Sequence, residues 1–202
     1  IKTILDQERA KTDALTVDAG DFSMGTVFQT IYSGSASELR MLGALGFDAT
    51  TLGNHEFDFD TQGLADMLHA AAASGDALPQ ILFHPGDLTY EQHAAPATPM
   101  EDLSDAFAAV GAQKTMVIQR NGVKIGIFSV FGADAAKVST ALELVPPGIV
   151  ENAKQAVAAL KSEGAELIVC LSHAGTSKDS PKKSEDEQLA AAVPEIDVIV
   201  SG

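Results

Sequence analysis

The chain has 202 residues, of which 13 are lysine or arginine and 28 are aspartate or glutamate, so its formal net charge is −15. This acidity argues against nucleic acid or anionic membranes as general partners, while a hydrophobic content of 46% excludes a disordered acidic tail. A single cysteine, Cys170, excludes an intrachain disulfide and a multi-cysteine metal site, and the apolar runs are too short for a transmembrane helix.

Short β-branched runs alternate with segments of helical periodicity, which is typical of an α/β protein, and we expect one domain over residues 1–202. The first part of the chain predicts helices ending near residue 11 and spanning 37–45 and 61–73, with strands at 14–17, 48–52 and 79–83. Prolines and a glycine predict a surface loop or insertion from about residue 84 to 104. His84 and His93, which lie in this insertion, carry no assigned role.

The second part of the chain begins with two strand-like runs, 114–119 and 123–130. Asn121-Gly122 lies between them and predicts an antiparallel hairpin, because both residues tolerate the positive φ of a type I′ turn. Further elements are predicted as a helix at 149–162, a strand at 166–171, a helix at 185–192 and a strand at 196–200.

Three of the predicted strands run into short polar clusters: Gly20-Asp21, Gly53-Asn54-His55-Glu56 and Ser172-His173. If one wound sheet carries these strands, its carboxyl edge brings together four side chains, those of Asp21, Asn54, His55 and His173. A carboxylate, a carboxamide oxygen and imidazoles form a ligand set that suits Mn²⁺, Zn²⁺, Fe or Co. The pattern therefore predicts a metal site.

Several residues in and near these clusters also have a purely structural explanation. His173 could be a buried histidine with satisfied hydrogen bonds, and Asp21 and Asn54 belong to the residue types that form turns. Asp58 could favour a helix start through its charge. Glu56 is expected to support neighbouring groups by hydrogen bonds, and Cys170 to be a small buried hydrophobe.

Three segments, taken in order, resemble the metallophosphoesterase (calcineurin-like) superfamily: Asp18-Ala19-Gly20-Asp21-Phe22, Thr51-Leu52-Gly53-Asn54-His55-Glu56-Phe57-Asp58 and Leu171-Ser172-His173-Ala174-Gly175. Within it, Glu56-Phe57-Asp58 and Gly25-Thr26 resemble the N-terminal catalytic domain of bacterial 5′-nucleotidases. The resemblance implies a metallophosphatase-type layered α/β sandwich with mixed β-sheets, partial at both ends. It also implies a hydrolase of phosphate esters.

The resemblance further implies roles for individual residues. Asp21 matches the carboxylate that bridges two divalent metal ions, and Asn54 and His173 match ligands of one of them. His55 matches the histidine that stabilises the phosphoryl group during transfer, and Asp58 matches its orienting partner. In such sites a metal-bound hydroxide attacks the phosphate ester, here expected to be a nucleoside monophosphate.

The sequence also departs from the family pattern. Family members carry an Asp-x-His motif on the first strand and a Gly-His-x-His motif on a late one, and residues 1–202 contain neither. We therefore expect an incomplete catalytic domain from a larger protein, with a C-terminal nucleotide-recognition domain. Family resemblance also implies a periplasmic, cell-surface or secreted location.

Two alternatives remain open from the sequence. The same site could act on another ester, such as a cyclic nucleotide, a nucleotide sugar or a sulfur-bound anion. The residues present could instead form a non-catalytic domain that binds a metal or ligand, because about half of the expected metal ligands are absent.

Overall fold

The computed structural model describes residues 1–83, 89–91, 100–139, 143–145, 148–178 and 184–202. The helices in these ranges are α1 (Lys2–Arg9), α2 (Tyr32–Ser35), α3 (Ser37–Leu45), α4 (Asp60–Ser74), α5 (Met100–Ala109), α6 (Ala133–Val138), α7 (Ile149–Ser162) and α8 (Glu185–Ala192). The strands are β1 (Ala49–Thr50), β2 (Gln80–Ile81), β3 (Thr89–Glu91), β4 (Thr115–Arg120), β5 (Val123–Phe131), β6 (Glu143–Val145), β7 (Leu167–His173) and β8 (Val198–Ser201). Short 3₁₀ helices span Val27–Ile31 and His55–Phe57.

The larger sheet has the order β4-β5-β7-β8. β4 pairs with β5 in an antiparallel hairpin, while β7 runs parallel to both β5 and β8. The hairpin turn contains Asn121 and Gly122, both with positive φ, at 49° and 84°. A type I′ turn requires this conformation at both positions, so the hairpin prediction is confirmed.

A smaller parallel sheet pairs β1 with β2. Val17 extends it through a parallel bridge to Ala49, and Leu82 extends it on the far side through a parallel bridge to Gln113. β3 and β6 form a separate antiparallel pair. The sheets are therefore mixed, as the sequence resemblance implied.

The two main sheets face each other across a shared hydrophobic core. Ala49 and Leu82 of the small sheet join Ile127 of β5 and Val169 and Leu171 of β7 in one buried cluster. Side chains alternate between the two faces of a strand, so the intervening residues of β5 and β7 point to the opposite side of the large sheet.

Helices cover the outer face of each sheet. α7 and α8 bury Val157, Leu160 and Leu189 against the large sheet, where Phe128 and Cys170 point outward to meet them. α4 and α5 cover the small sheet, with Leu64, Met67, Leu68, Leu103 and Phe107 in a cluster of their own. The order of layers is therefore helices, small sheet, large sheet, helices.

Several predicted elements coincide with the observed ones, including the helices at 37–45, 149–162 and 185–192. The predicted loop at 84–104 is wrong where helix α5 begins at Met100. His84 and His93 lie outside the described residues. Cys170 is fully buried as expected, and burial raises the pKa of its thiol, which does not favour the reactive thiolate.

Candidate active site

His173 lies at the end of β7, and the alternation along this strand fixes where it points. Val169 and Leu171 face the core between the sheets, and His173 continues this alternating set. Ser172 points the other way, and its hydroxyl donates to the buried Asp186 carboxylate of α8. The strand therefore presents the His173 imidazole to the loops of the small sheet.

Asp21 sits in a tight turn just after the segment that pairs with β1. Gly20 and Asp21 both have positive φ, at 93° and 60°, in the left-handed region that glycine adopts readily and aspartate tolerates. Asp21 Oδ1 accepts the backbone N–H of His55 at 3.0 Å, and Asp21 Oδ2 lies 3.3 Å from His173 Nε2. This carboxylate thus joins a loop of the small sheet to a strand of the large one.

Asn54 completes a group of three polar side chains around one point. Its Oδ1 atom lies 3.2 Å from His173 Nε2, the same nitrogen that approaches Asp21. The other ring nitrogen, Nδ1, lies 2.8 Å from the Ala19 carbonyl oxygen and donates to it. His173 Nε2 therefore faces two oxygen atoms that carry lone pairs, while Nδ1 of the same ring already carries a hydrogen.

Such an arrangement requires a positive charge at its centre. Burial lowers the pKa of His173, but the hydrogen bonds to Asp21 and Ala19 outweigh burial and raise the pKa. The pKa of Asp21 shifts in the opposite direction. Burial raises it, but hydrogen bonds from His173 and from the His55 N–H outweigh burial and lower the pKa of Asp21. A divalent cation would use the same three atoms as ligands, so this donor set fits a metal ion.

The third donor beside Asp21 and His173 is the Asn54 carboxamide oxygen. Within the described residues, no three histidine, cysteine or carboxylate side chains come together as a metal site. Asn54 therefore supplies the third donor next to Asp21 and His173.

Glu56 holds the two loops of the small sheet together from behind. Its carboxylate is fully buried and accepts three backbone N–H groups, from Gly53 at 2.6 Å, Asp21 at 2.8 Å and Ser23 at 3.0 Å. Burial raises the pKa of Glu56, and the three hydrogen bonds oppose that rise. As expected from the sequence, Glu56 supports neighbouring groups by hydrogen bonds. It links the Asp21 turn directly to the loop that carries Asn54.

We predict that Glu56→Ala lowers the free energy of unfolding by about 3 kcal/mol, because it leaves buried N–H groups without an acceptor. Urea unfolding should show a lower midpoint with an unchanged slope. Glu195→Ala, at an exposed position, is the matched control and should shift the free energy of unfolding by less than about 0.5 kcal/mol. Equal stability of Glu56→Ala and Glu195→Ala would refute the supporting role.

Gly53 allows the close approach of these groups. A Cβ atom at this position would lie 2.2 Å from Asp21 Oδ1 and 2.5 Å from His173 Cε1. Neither distance is possible for a real Cβ atom, so any larger residue would push the site apart. The glycine before Asn54 is therefore required by the packing of the site.

His55 and Asp58 form a second, adjacent unit. His55 Nδ1 lies 2.9 Å from Asp58 Oδ2, and both side chains are about three-quarters buried, with exposures of 28% and 25%. The same Asp58 oxygen accepts a hydrogen bond from Gln29 Nε2 at 3.1 Å. All five sequence-predicted site residues thus lie within one connected group, and Gln29 joins it without having been predicted.

The route by which these residues meet differs from the one expected. The sequence suggested a single wound sheet, but Asp21, Asn54 and His55 follow strands of the small sheet, while His173 ends a strand of the large one. The site therefore lies across the junction of two sheets. No local pattern in the sequence distinguishes these two possibilities.

Comparison with known proteins places this arrangement in context. A "Probable 5′-nucleotidase" of Treponema pallidum is 30% identical over 200 residues, covering 94% of this chain and 28% of that protein. The trifunctional nucleotide phosphoesterase YfkN of Bacillus subtilis is 27% identical over 214 residues, covering 99% of this chain and 14% of YfkN. The chain thus spans less than a third of the length of either relative. No protein-family profile matches it.

Among solved structures, a 5′-nucleotidase precursor from Thermus thermophilus superposes over the whole chain. The TM-score is 0.71 at 25% identity, and the chain covers 34% of that protein. The fold class is therefore confirmed as a metallophosphatase-type layered α/β sandwich. The resemblance to the metallophosphoesterase superfamily, and to the 5′-nucleotidases within it, is confirmed as well.

One further structural finding concerns membranes. None of the helices in the described ranges has both the length and the hydropathy that a membrane-spanning segment needs.

Proposed function

We propose that this chain is the catalytic domain of a metal-dependent phosphomonoester hydrolase that acts on nucleoside 5′-monophosphates. The observation that carries the proposal is the meeting of Asp21 Oδ2 and Asn54 Oδ1 at the outward nitrogen of His173, next to the His55–Asp58 pair. The names of the relatives, 5′-nucleotidase and nucleotide phosphoesterase, support the substrate class.

In this proposal Asp21, Asn54 and His173 would hold the metal, which we propose to be two divalent ions of Mn, Zn, Fe or Co. When bound, the ions supply positive charge to the phosphoryl oxygens and lower the pKa of a coordinated water. The Nδ1–H of His173 donates to the Ala19 carbonyl, which fixes the orientation of the ring. Nε2 is then the ring nitrogen that can bind metal, on the side of Asp21 Oδ2 and Asn54 Oδ1. A net charge of −15 does not oppose an anionic substrate, since bound cations reverse the local field.

His55 and Asp58 are proposed to serve the phosphoryl group. With Nδ1–H donated to Asp58, the Nε2 atom of His55 is left to face the substrate. In its protonated form His55 also carries a hydrogen on Nε2, and this N–H would donate to the phosphoryl oxygens on which negative charge builds up during transfer. The Asp58 carboxylate holds the ring in place, as a carboxylate does for an active-site histidine.

We further propose that the chain is part of a longer protein with a C-terminal nucleotide-recognition domain and a periplasmic, cell-surface or secreted location. The short coverage of the relatives, 28% and 14%, supports the longer protein. A small-molecule nucleotide or another phosphate ester is the proposed partner.

The proposal is tested by measuring phosphate release by the full-length gene product after chelation and after addition of Mn²⁺ or Co²⁺. We expect release from nucleoside monophosphates that depends on added metal, and loss of metal stimulation in Asp21→Asn. A panel of cyclic nucleotides, nucleotide sugars and thiosulfate esters identifies the preferred ester. Metal binding without turnover of any ester would contradict the proposal and favour a non-catalytic metal-binding domain.

A further inference from the structure

The 3₁₀ helix Val27–Ile31 has an inverted distribution of polar and apolar side chains. Val27, Phe28 and Ile31 are exposed, with exposures of 80%, 43% and 51%. Gln29 is the one residue of this helix that is not exposed. Apolar side chains usually turn inward and amides outward, so a specific interaction must account for the inward position of Gln29.

That interaction is the hydrogen bond to Asp58. Gln29 Nε2 donates to Asp58 Oδ2 at 3.1 Å, and His55 Nδ1 lies 2.9 Å from the same oxygen. A carboxylate oxygen can accept from two donors, and each hydrogen bond reduces the freedom of the carboxylate to rotate. Asp58 is thus held between a side chain of the candidate catalytic unit and one from a different segment.

We propose that Gln29 is a positioning residue for the candidate hydrolase, an inference that rests on the proposed function. The Gln29 amide fixes the Asp58 carboxylate in the orientation that accepts from His55 Nδ1–H. An ionised carboxylate accepts hydrogen bonds and does not donate them, so Asp58 keeps a hydrogen on His55 Nδ1 and holds the ring with Nε2 toward the substrate. Gln29 itself touches neither the substrate nor the candidate metal ligands.

Gln29 and Asp58, which this hydrogen bond joins, belong to different segments of the chain. The Val27–Ile31 helix begins six residues after Asp21 and is set by Thr26, whose hydroxyl accepts the N–H of Phe28 at 3.2 Å. Asp58, in contrast, follows the 3₁₀ helix His55–Phe57. The hydrogen bond from Gln29 therefore connects the segment downstream of the Asp21 turn to the end of the loop that carries Asn54 and His55.

The kinetic test replaces Gln29 in the full-length gene product and compares kcat with KM. Gln29→Leu removes the donor at similar size and should lower kcat about 10-fold with KM changed less than about twofold, as for a hydrogen bond to a charged group. Gln29→Glu places a second carboxylate against Asp58 and should lower kcat further. Gln155→Leu, which removes an exposed bond from Gln155 to Glu151 on α7, is the matched control and should leave kcat unchanged.

A double-mutant cycle shows whether Gln29 acts through Asp58. In an Asp58→Asn background, Gln29→Leu should change kcat by less than about twofold, because the carboxylate it positions is gone. An undiminished 10-fold loss in that background would overturn the inference. So would a kcat of Gln29→Leu equal to that of the wild-type protein.

A second readout does not depend on activity. Long-range ¹H–¹⁵N correlation spectra of histidine side chains distinguish the two imidazole tautomers. Under alkaline conditions the metal-free 202-residue chain should show His55 with its hydrogen on Nδ1, and Gln29→Leu should shift His55 toward a tautomer mixture. Identical His55 spectra in both proteins would overturn the inference.

The two proposals fail in different ways. A wild-type full-length gene product that releases no phosphate from any ester contradicts the proposed function, while the His55 spectra still decide the positioning role of Gln29. A wild-type protein that turns over substrate together with an unaffected Gln29→Leu variant contradicts the positioning role alone.

Discussion

His55→Ala in the full-length gene product is expected to lower kcat for phosphate release by about 10²–10³-fold, the range for removal of one donor to a developing oxyanion. The metal site should survive this change, because Asp21 Oδ1 accepts the backbone N–H of residue 55, which alanine retains. The Asn54 and His173 side chains are untouched by the substitution. Binding of Mn²⁺ and the free energy of unfolding should therefore change little.

Steady-state kinetics together with calorimetric titration of Mn²⁺ separate these effects. His69→Ala is the matched control, since His69 is exposed on α4 and outside the candidate site, and its kcat should equal that of the wild type. If His55→Ala turned over substrate at the wild-type rate, the proposed role of His55 would be wrong. If it lost Mn²⁺ binding as well, His55 would act on the metal site and not on the phosphoryl group.

Gly53→Ala is expected to weaken Mn²⁺ binding by about 10–100-fold, the range observed when groups that hold metal ligands in place are changed. The added methyl group would collide with Asp21 Oδ1, with His173 Cε1 and, at 2.7 Å, with the Asp21 backbone nitrogen. Asp21 and His173 come from different sheets, so the collision separates two of the three candidate ligands. Backbone conformation is not the obstacle, since Gly53 lacks positive φ.

Gly34→Ala provides the matched control for Gly53→Ala. Gly34 also lacks positive φ, and a Cβ atom there meets nothing within 4 Å. Calorimetric titration should give the same Mn²⁺ affinity for Gly34→Ala as for the wild type. Wild-type affinity in Gly53→Ala would show that the metal does not lie between Asp21 and His173.

Much of the local structure could be predicted from the sequence because strong signals mark its boundaries. Apolar residues at helical spacing predicted α3 and α7 with the observed bounds. Gly46 marked the end of α3, and Pro146-Pro147-Gly148 preceded the start of α7. The Asn121-Gly122 pair predicted the hairpin because few other dipeptides adopt two positive φ values in succession.

The division of the strands between two sheets could not be predicted. Val17 pairs with Ala49, whereas β7 pairs with β5 and β8, and all of these short apolar runs look alike in sequence. Which runs pair is decided by packing between distant segments. Sequence clusters therefore identified the side chains of the site but not the two-sheet junction that brings them together.

Gln29 escaped prediction for a related reason. Its neighbours Phe28 and Ile31 are apolar, and a glutamine among them is ordinarily read as the exposed position. The structure reverses this pattern, with Gln29 inward at Asp58. The sequence carries no signal for this role, because the inversion is visible only once the burial of each residue is known.

The hydrogen bond from His173 to the Ala19 carbonyl spans 154 residues of a chain of 202. Closing so long a loop costs conformational entropy, so this contact persists only while the rest of the fold holds its two ends together. An unfolded or partly folded chain lacks it, and a bound cation would therefore add its binding free energy to the native state alone. Binding of a divalent cation would then raise the free energy of unfolding, so the stability of the folded protein would depend on the supply of metal.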